Sequence, residues 1–253
     1  MKVTVLMENS APDGLIGEHG LSFYIEYGGG HYLLDAGECG AVLYNAGKLG
    51  VDLAGVEKAA LSHGHYDHAD GFNAFFAVNR TAPVYARPRI TDPEYWEEKE
   101  YIGVNPGMLC RHEKRFDLAE GPRDLAPGLH LIPDRVKHEQ SLVAETSRGL
   151  VVFNSCCHAG VVKILTQLKE QFPPKTIRAV LGGFHLMGKG GVTTLGPAPE
   201  KVRAIAAALR DGLEVGAVYT GHCTGGPAYA ILKEELGDRL HPLTTGALYE
   251  FED

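Results

Sequence analysis

Between Ser62 and Gly71 the chain reads Ser-His-Gly-His-Tyr-Asp-His-Ala-Asp-Gly, which puts three imidazoles and a carboxylate within the six residues from His63 to His68. Neutral imidazole and carboxylate suit zinc, and also iron or manganese. In an extended loop His63 and His65 project to one side, whereas Asp67 and His68, at the start of a helix, can point to a neighbouring position. One loop can therefore serve two metals. A single loop histidine is usually just solvated; packing does not explain a cluster this dense.

Four stretches of strand-like composition run into a histidine: Ala59 to His63, Phe153 to His158, Leu181 to His185, and Tyr219 to His222. In sheet-based α/β proteins ligands gather beyond strand ends, so side chains distant in sequence can converge.

These motifs resemble the metallo-β-lactamase fold superfamily, whose His-x-His-x-Asp-His signature stands here as His63, His65, Asp67 and His68. Leu33 to Gly37 looks like its early Asp motif. Cys156 to Gly160, Gly182 to Leu186 and Thr220 to Gly225 look like one subgroup, which includes archaeal dihydropterin ribofuranosyl-aminobenzene phosphate synthases. The resemblance implies an α/β fold of the αββα sandwich type, with two mixed β-sheets flanked by helices. It also implies that His63, His65 and one later histidine hold a first metal, and that Asp67, His68 and His222 hold a second.

The chain lacks the usual Gly-His-Thr third motif and the usual bridging Asp. For the third histidine His158, which follows a long apolar strand, is preferred to His138, which sits among Lys137, Glu139 and Gln140. The bridging position aligns with Cys156, whose thiolate can bind metal but which can equally be a small buried hydrophobe. His185 is a further candidate, as a ligand, as a donor to an anionic substrate, or as a satisfied histidine beside a Gly-Gly turn. Asp35 is expected to orient a ligating imidazole. Asn9, His19 and Ser22 could shape a pocket, with turn and solvated-loop roles equally open. No catalytic role is expected for Cys39, Cys110 or Cys223.

The implied function is a metal-dependent hydrolase in which two divalent ions, zinc before iron or manganese, provide a metal-activated hydroxide. Two metals about 3.5–4 Å apart lower the pKa of a bridging water from about 15.7 toward about 7. Asp67 and His185 take the catalytic roles, His185 steadying developing negative charge. The expected substrate is a small anionic or phosphorylated metabolite. Two other readings stand beside this one: phosphoester chemistry like that of the synthase subgroup, and a sensor that binds metal or metabolite without turnover. A flavodiiron-type redox protein would carry Glu where His65 stands.

The elements that must position these residues follow from periodicity. Lys2 to Glu8, Ser22 to Tyr27 and Tyr32 to Leu34 read as strands, the last two as a hairpin across Gly28-Gly29-Gly30. Val42, Leu43, Ala46 and Leu49 recur at helical spacing before Gly50. A strand at Lys58 to Leu61, a helix at Phe72 to Val78 and a strand at Pro83 to Ala86 follow. Ser141 to Thr146 and Leu150 to Asn154 read as a second hairpin. Helical spacing returns from Val161 to Phe172 and from Pro199 to Leu209, and the apolar runs Ala179 to Leu181, Val215 to Tyr219 and Ala247 to Phe251 read as strands.

With no clear linker, residues 1–253 read as a single domain, interrupted by an irregular excursion at about 87–134 that is rich in proline and charge. Arg87, Arg89, Arg111, Lys114 and Arg115 lie in it, available to a phosphate or simply solvated. A net charge of -8 without a basic run disfavours a nucleic-acid partner. No apolar run reaches membrane-spanning length and the N-terminus turns acidic by Glu8, so a cytoplasmic location is expected, with a small-molecule substrate and no membrane partner. Five cysteines, two of them adjacent, do not resemble a disulfide framework. Oligomeric state is left open.

Overall fold

The computed structural model describes residues 1–252. The chain divides into two compact units: Met1–Pro133 with His138–Gln140 and Thr244–Phe251, and Asp134–Lys137 with Ser141–Leu243. Each is built on a mixed β-sheet with its own helices, in agreement with the expected α/β class.

In the first unit the sheet runs Leu248–Glu250, Lys2–Met7, Ser22–Tyr27, Gly30–Leu34, Lys58–Ala60, Val84–Ala86, Phe116–Leu118. The strands from Leu248–Glu250 through Gly30–Leu34 are antiparallel neighbours, and from Gly30–Leu34 onward the neighbours are parallel. The switch matters for function. Gly30–Leu34, Lys58–Ala60 and Val84–Ala86 end on one edge, and Asp35 and the histidine cluster follow immediately. Helix Ala41–Leu49 ends at Gly50, whose φ of 70° lets its N–H reach Ala46 O and Gly47 O, a left-handed cap that glycine favours. Leu6, Leu33, Val42, Leu61, Phe72, Phe75 and Val84 belong to the core behind that edge.

In the second unit Leu240–Pro242, Ala217–Thr220, Ile177–Gly182 and Gly149–Phe153 are parallel neighbours in that order, and Gln140–Thr146 pairs antiparallel with Gly149–Phe153. Every residue of Gly149–Phe153 is buried, the continuous apolar run typical of a strand covered on both faces. Helices Val161–Gln171, Pro199–Ala207 and Gly226–Leu236 complete the unit.

The stretch 87–134 is less irregular than its sequence suggests. It holds the helix Pro106–His112 and the strands Phe116–Leu118, Arg123–Ala126 and Leu129–Pro133. Asn105 caps the helix, its side chain accepting from the N–H groups of Gly107 and Met108, with Pro106 at the first helical position. The strands are too short to show a period. Arg115 is structural here: its guanidinium donates to Ala82 O and Asn79 O and lies 4.6 Å from the Phe76 ring centre. Arg87 pairs with Glu120 at 2.9 Å and Arg89 with Asp92 at 3.1 Å.

Gly71 brings helix Phe72–Val78 against the Asp35 loop. A Cβ there would stand 1.9 Å from Ala36 O, so the two segments meet backbone to backbone. Gly71→Ala is expected to cost about 1–3 kcal/mol, as overpacking does. Urea denaturation should show a lower midpoint at unchanged slope; a midpoint equal to wild type would refute the close approach.

Candidate metal centre

Asp35 is fully buried and adopts a left-handed backbone, φ 57°. A buried carboxylate must have its lone pairs satisfied, and here Ser62 N donates to Oδ1 at 2.7 Å and Ser62 Oγ to Oδ2 at 2.8 Å. His68 Nδ1 lies 2.9 Å from the same Oδ2. The Ser62 hydroxyl proton goes to Asp35, so Ser62 Oγ accepts from His63 Nδ1 at 2.8 Å. That fixes the tautomer of His63, with the Nε2 lone pair turned inward.

His63 Nε2 faces His65 Nδ1 at 3.1 Å, and Asp67 Oδ2 faces His68 Nε2 at 3.3 Å. Two ligands on one tetrahedral zinc, each at about 2.0–2.1 Å, stand roughly 3.3 Å apart. Both pairs fit that edge, and the donor set is the chemistry zinc prefers. The loop thus places two pairs of potential ligand atoms at this spacing. Burial alone would push the His68 imidazole down; the charge of Asp67 and the hydrogen bond to Asp35 outweigh it and hold His68 well above its usual range.

The structure adds residues that sequence reasoning missed. Glu94 Oε2 lies 3.0 Å from His65 Nε2, and Glu94 Oε1 3.2 Å from His138 Nε2. Glu139 Oε1 is 3.8 Å from His63 Nδ1. His19, for which a solvated role was equally open, has Nε2 3.5 Å from Asp67 Oδ2 and Nδ1 3.3 Å from Asn9 Nδ2. Ser22 Oγ donates to Asp35 O at 2.8 Å. A cavity of about 380 Å³ is lined by Glu38, Asp70, Asn73, Asn105, Met108 and Arg111.

In the second unit His158, His185 and His222 follow the carboxyl ends of three adjacent parallel strands, Gly149–Phe153, Ile177–Gly182 and Ala217–Thr220. The rings of His158 and His185 are 4.4 Å apart. Cys157, His185 and His222 all have positive φ, at 58°, 50° and 46°. Such backbone strain in non-glycine residues concentrates at functional sites. Cys156, His222 and Cys223 are buried with ligand atoms within 4.8 Å of one another, and the two sulfurs are 3.4 Å apart. Burial would raise the Cys223 thiol, but its hydrogen bond with Cys156 and the charges of His222 and His185 hold it well below the ordinary value. Cys39 and Cys110 are exposed.

The metallo-beta-lactamase superfamily model matches residues 15–162, more than half of the chain, and the protein belongs to this superfamily. A relative in Methanocaldococcus jannaschii, 7,8-dihydropterin-6-methyl-4-(beta-D-ribofuranosyl)-aminobenzene-5'-phosphate synthase, is 26% identical, the match covering 92% of this chain and 90% of the relative. Among solved structures, Tm1679, a metal-dependent hydrolase of the beta-lactamase superfamily, matches with a TM-score of 0.83 and 28% identity over 100% of both chains. The metallo-beta-lactamase fold protein YhfI from Bacillus subtilis shares the fold at TM-score 0.64 and 12% identity, covering 98% of each chain.

Because Asp35 carries both Ser62 and His68, Asp35→Asn should weaken zinc binding by about 10- to 100-fold, the usual effect of losing an outer partner of a ligating histidine. Competition against a chromophoric chelator measures this, and wild-type affinity in D35N would remove Asp35 from that role.

Proposed function

We propose that the protein is a metal-dependent hydrolase acting on a small anionic or phosphorylated metabolite. The carrying observation is the pair of contacts in the first unit, His63 with His65 and Asp67 with His68, each at the spacing of two ligands on one ion. We assign metal ligation to His63, His65, Asp67 and His68 from that unit and to His158, His222 and Cys156 from the second. Zinc fits these donors best, with iron or manganese as alternatives.

A bound metal pair supplies Lewis acidity and a water acidified toward neutral pH. The chain's own residues do the rest. Ser62 and Asp35 keep the His63 and His68 lone pairs directed inward. Asp67 is held between His68 and His19, which limits its rotation and suits it to orient a water. His185, exposed in the second unit, is assigned to anion stabilisation.

Support for a hydrolase comes from the likeness to Tm1679, itself described as a metal-dependent hydrolase. A phosphorylated substrate is favoured by the archaeal relative, whose name includes a 5'-phosphate. That relative also carries the second reading, synthase-like phosphoester chemistry at the same centre. Among the described residues no helix is long and apolar enough to cross a membrane.

His65→Ala should abolish bound metal and hydrolysis together while leaving the circular dichroism spectrum intact, because the core strands do not use its side chain. Elemental analysis, followed by phosphodiester, phosphomonoester, lactone and lactam panels with each metal restored, tests the assignment. Full turnover in H65A refutes it, and wild-type protein that binds metal yet turns over nothing in the panels supports a sensor instead.

A further inference from the structure

Glu94 stands at the start of a small hairpin, beside the histidine loop. Tyr95–Trp96 pairs with Glu100–Tyr101, and the hairpin is closed by Ile102 N donating to the backbone oxygen of Glu94 at 2.9 Å. A second set of backbone contacts ties the hairpin to the histidine loop: Tyr66 N donates to Ile102 O at 3.0 Å, and His65 forms a β-bridge with Gly103. The Glu94 side chain faces two imidazoles, with one carboxylate oxygen at 3.0 Å from His65 Nε2 and the other at 3.2 Å from His138 Nε2.

We propose that Glu94 is the positioning residue for His65: it accepts a hydrogen bond from the Nε2–H, which turns the Nδ1 lone pair toward His63, while its other oxygen lies 3.2 Å from His138 Nε2. This rests on the reading of His65 as a metal ligand. The reason is chemical. His65 differs from His63 and His68 in using Nδ1 inward and Nε2 outward, so neither Asp35 nor Ser62 can hold it. A carboxylate on the outer nitrogen fixes the ring orientation and raises the basicity of the inner one. The side chains of Glu94 and His138 are 22% and 16% exposed, so neither is a fully buried core residue.

Zinc affinity, measured by chelator competition, and the His65 Nε2–H proton, observed by ¹H–¹⁵N correlation in the metal-free protein, test this together. Glu94→Ala should lower affinity by about 10- to 100-fold and lose the exchange-protected Nε2–H signal. Glu94→Gln, whose amide oxygen can accept the same proton, should keep the signal and lose less affinity, with His138→Ala closer still to wild type. Wild-type affinity and an intact signal in E94A overturn the proposal while leaving the metal assignment standing. A wild-type protein that binds no zinc, iron or manganese overturns both.

Discussion

The first unit depends on satisfying one buried carboxylate. Removing Asp35 from water is costly unless its oxygens are fully hydrogen-bonded, and the partners that satisfy it are the residues that set up the histidine loop. Ser62 gives both its backbone N–H and its hydroxyl, and His68 lies on the second oxygen. Because the hydroxyl is engaged as a donor, its oxygen must accept, and His63 is fixed as a consequence. The left-handed backbone at Asp35 and the contact of Gly71 with Ala36 are local costs of bringing this carboxylate behind the loop.

The second unit reaches a similar result by topology. Parallel neighbours necessarily end on the same edge, so three strand-to-loop transitions deliver His158, His185 and His222 together. Room at that edge is made by glycine: at Gly182, φ 136°, a Cβ would lie 1.6 Å from Asn154 O. His185 and His222 are themselves left-handed, and the left-handed Cys157 immediately precedes His158.

What could be read from the sequence follows from the range of the interactions involved. Helix Ala41–Leu49 was legible because its apolar spacing and Gly50 stop are local, and the grouping of His63, His65, Asp67 and His68 because its members are adjacent. Helix Gly226–Leu236 carried a weaker signal, since only Ala228, Leu232 and Leu236 are buried. The Asn105-Pro106 helix start was written locally but hidden among prolines and charges. Glu94 had no local signature at all, being one carboxylate 29 residues from His65, within a segment without periodicity. Strands of three to five residues such as Phe116–Leu118 and Leu129–Pro133 exist through pairing with distant neighbours or a short hairpin, which period-2 patterning over so few residues cannot specify.

The charge distribution bears on how an anionic substrate would be met. With a net charge of -8 the chain offers no long-range attraction for an anion, so recognition must be local. The arginines of residues 87–134 are largely engaged: Arg115 with carbonyl oxygens and the Phe76 ring, Arg87 with Glu120, Arg89 with Asp92. Arg111, at the cavity with Asp70, is held by Asn73 at 3.1 Å. Guanidinium groups in this segment therefore act mainly as structural ties. Under the proposed function the positive charge that meets the substrate is supplied chiefly by the bound ions. The buried carboxylate Asp35 and the outer carboxylate Glu94 then act on substrate binding indirectly, through the imidazoles they hold.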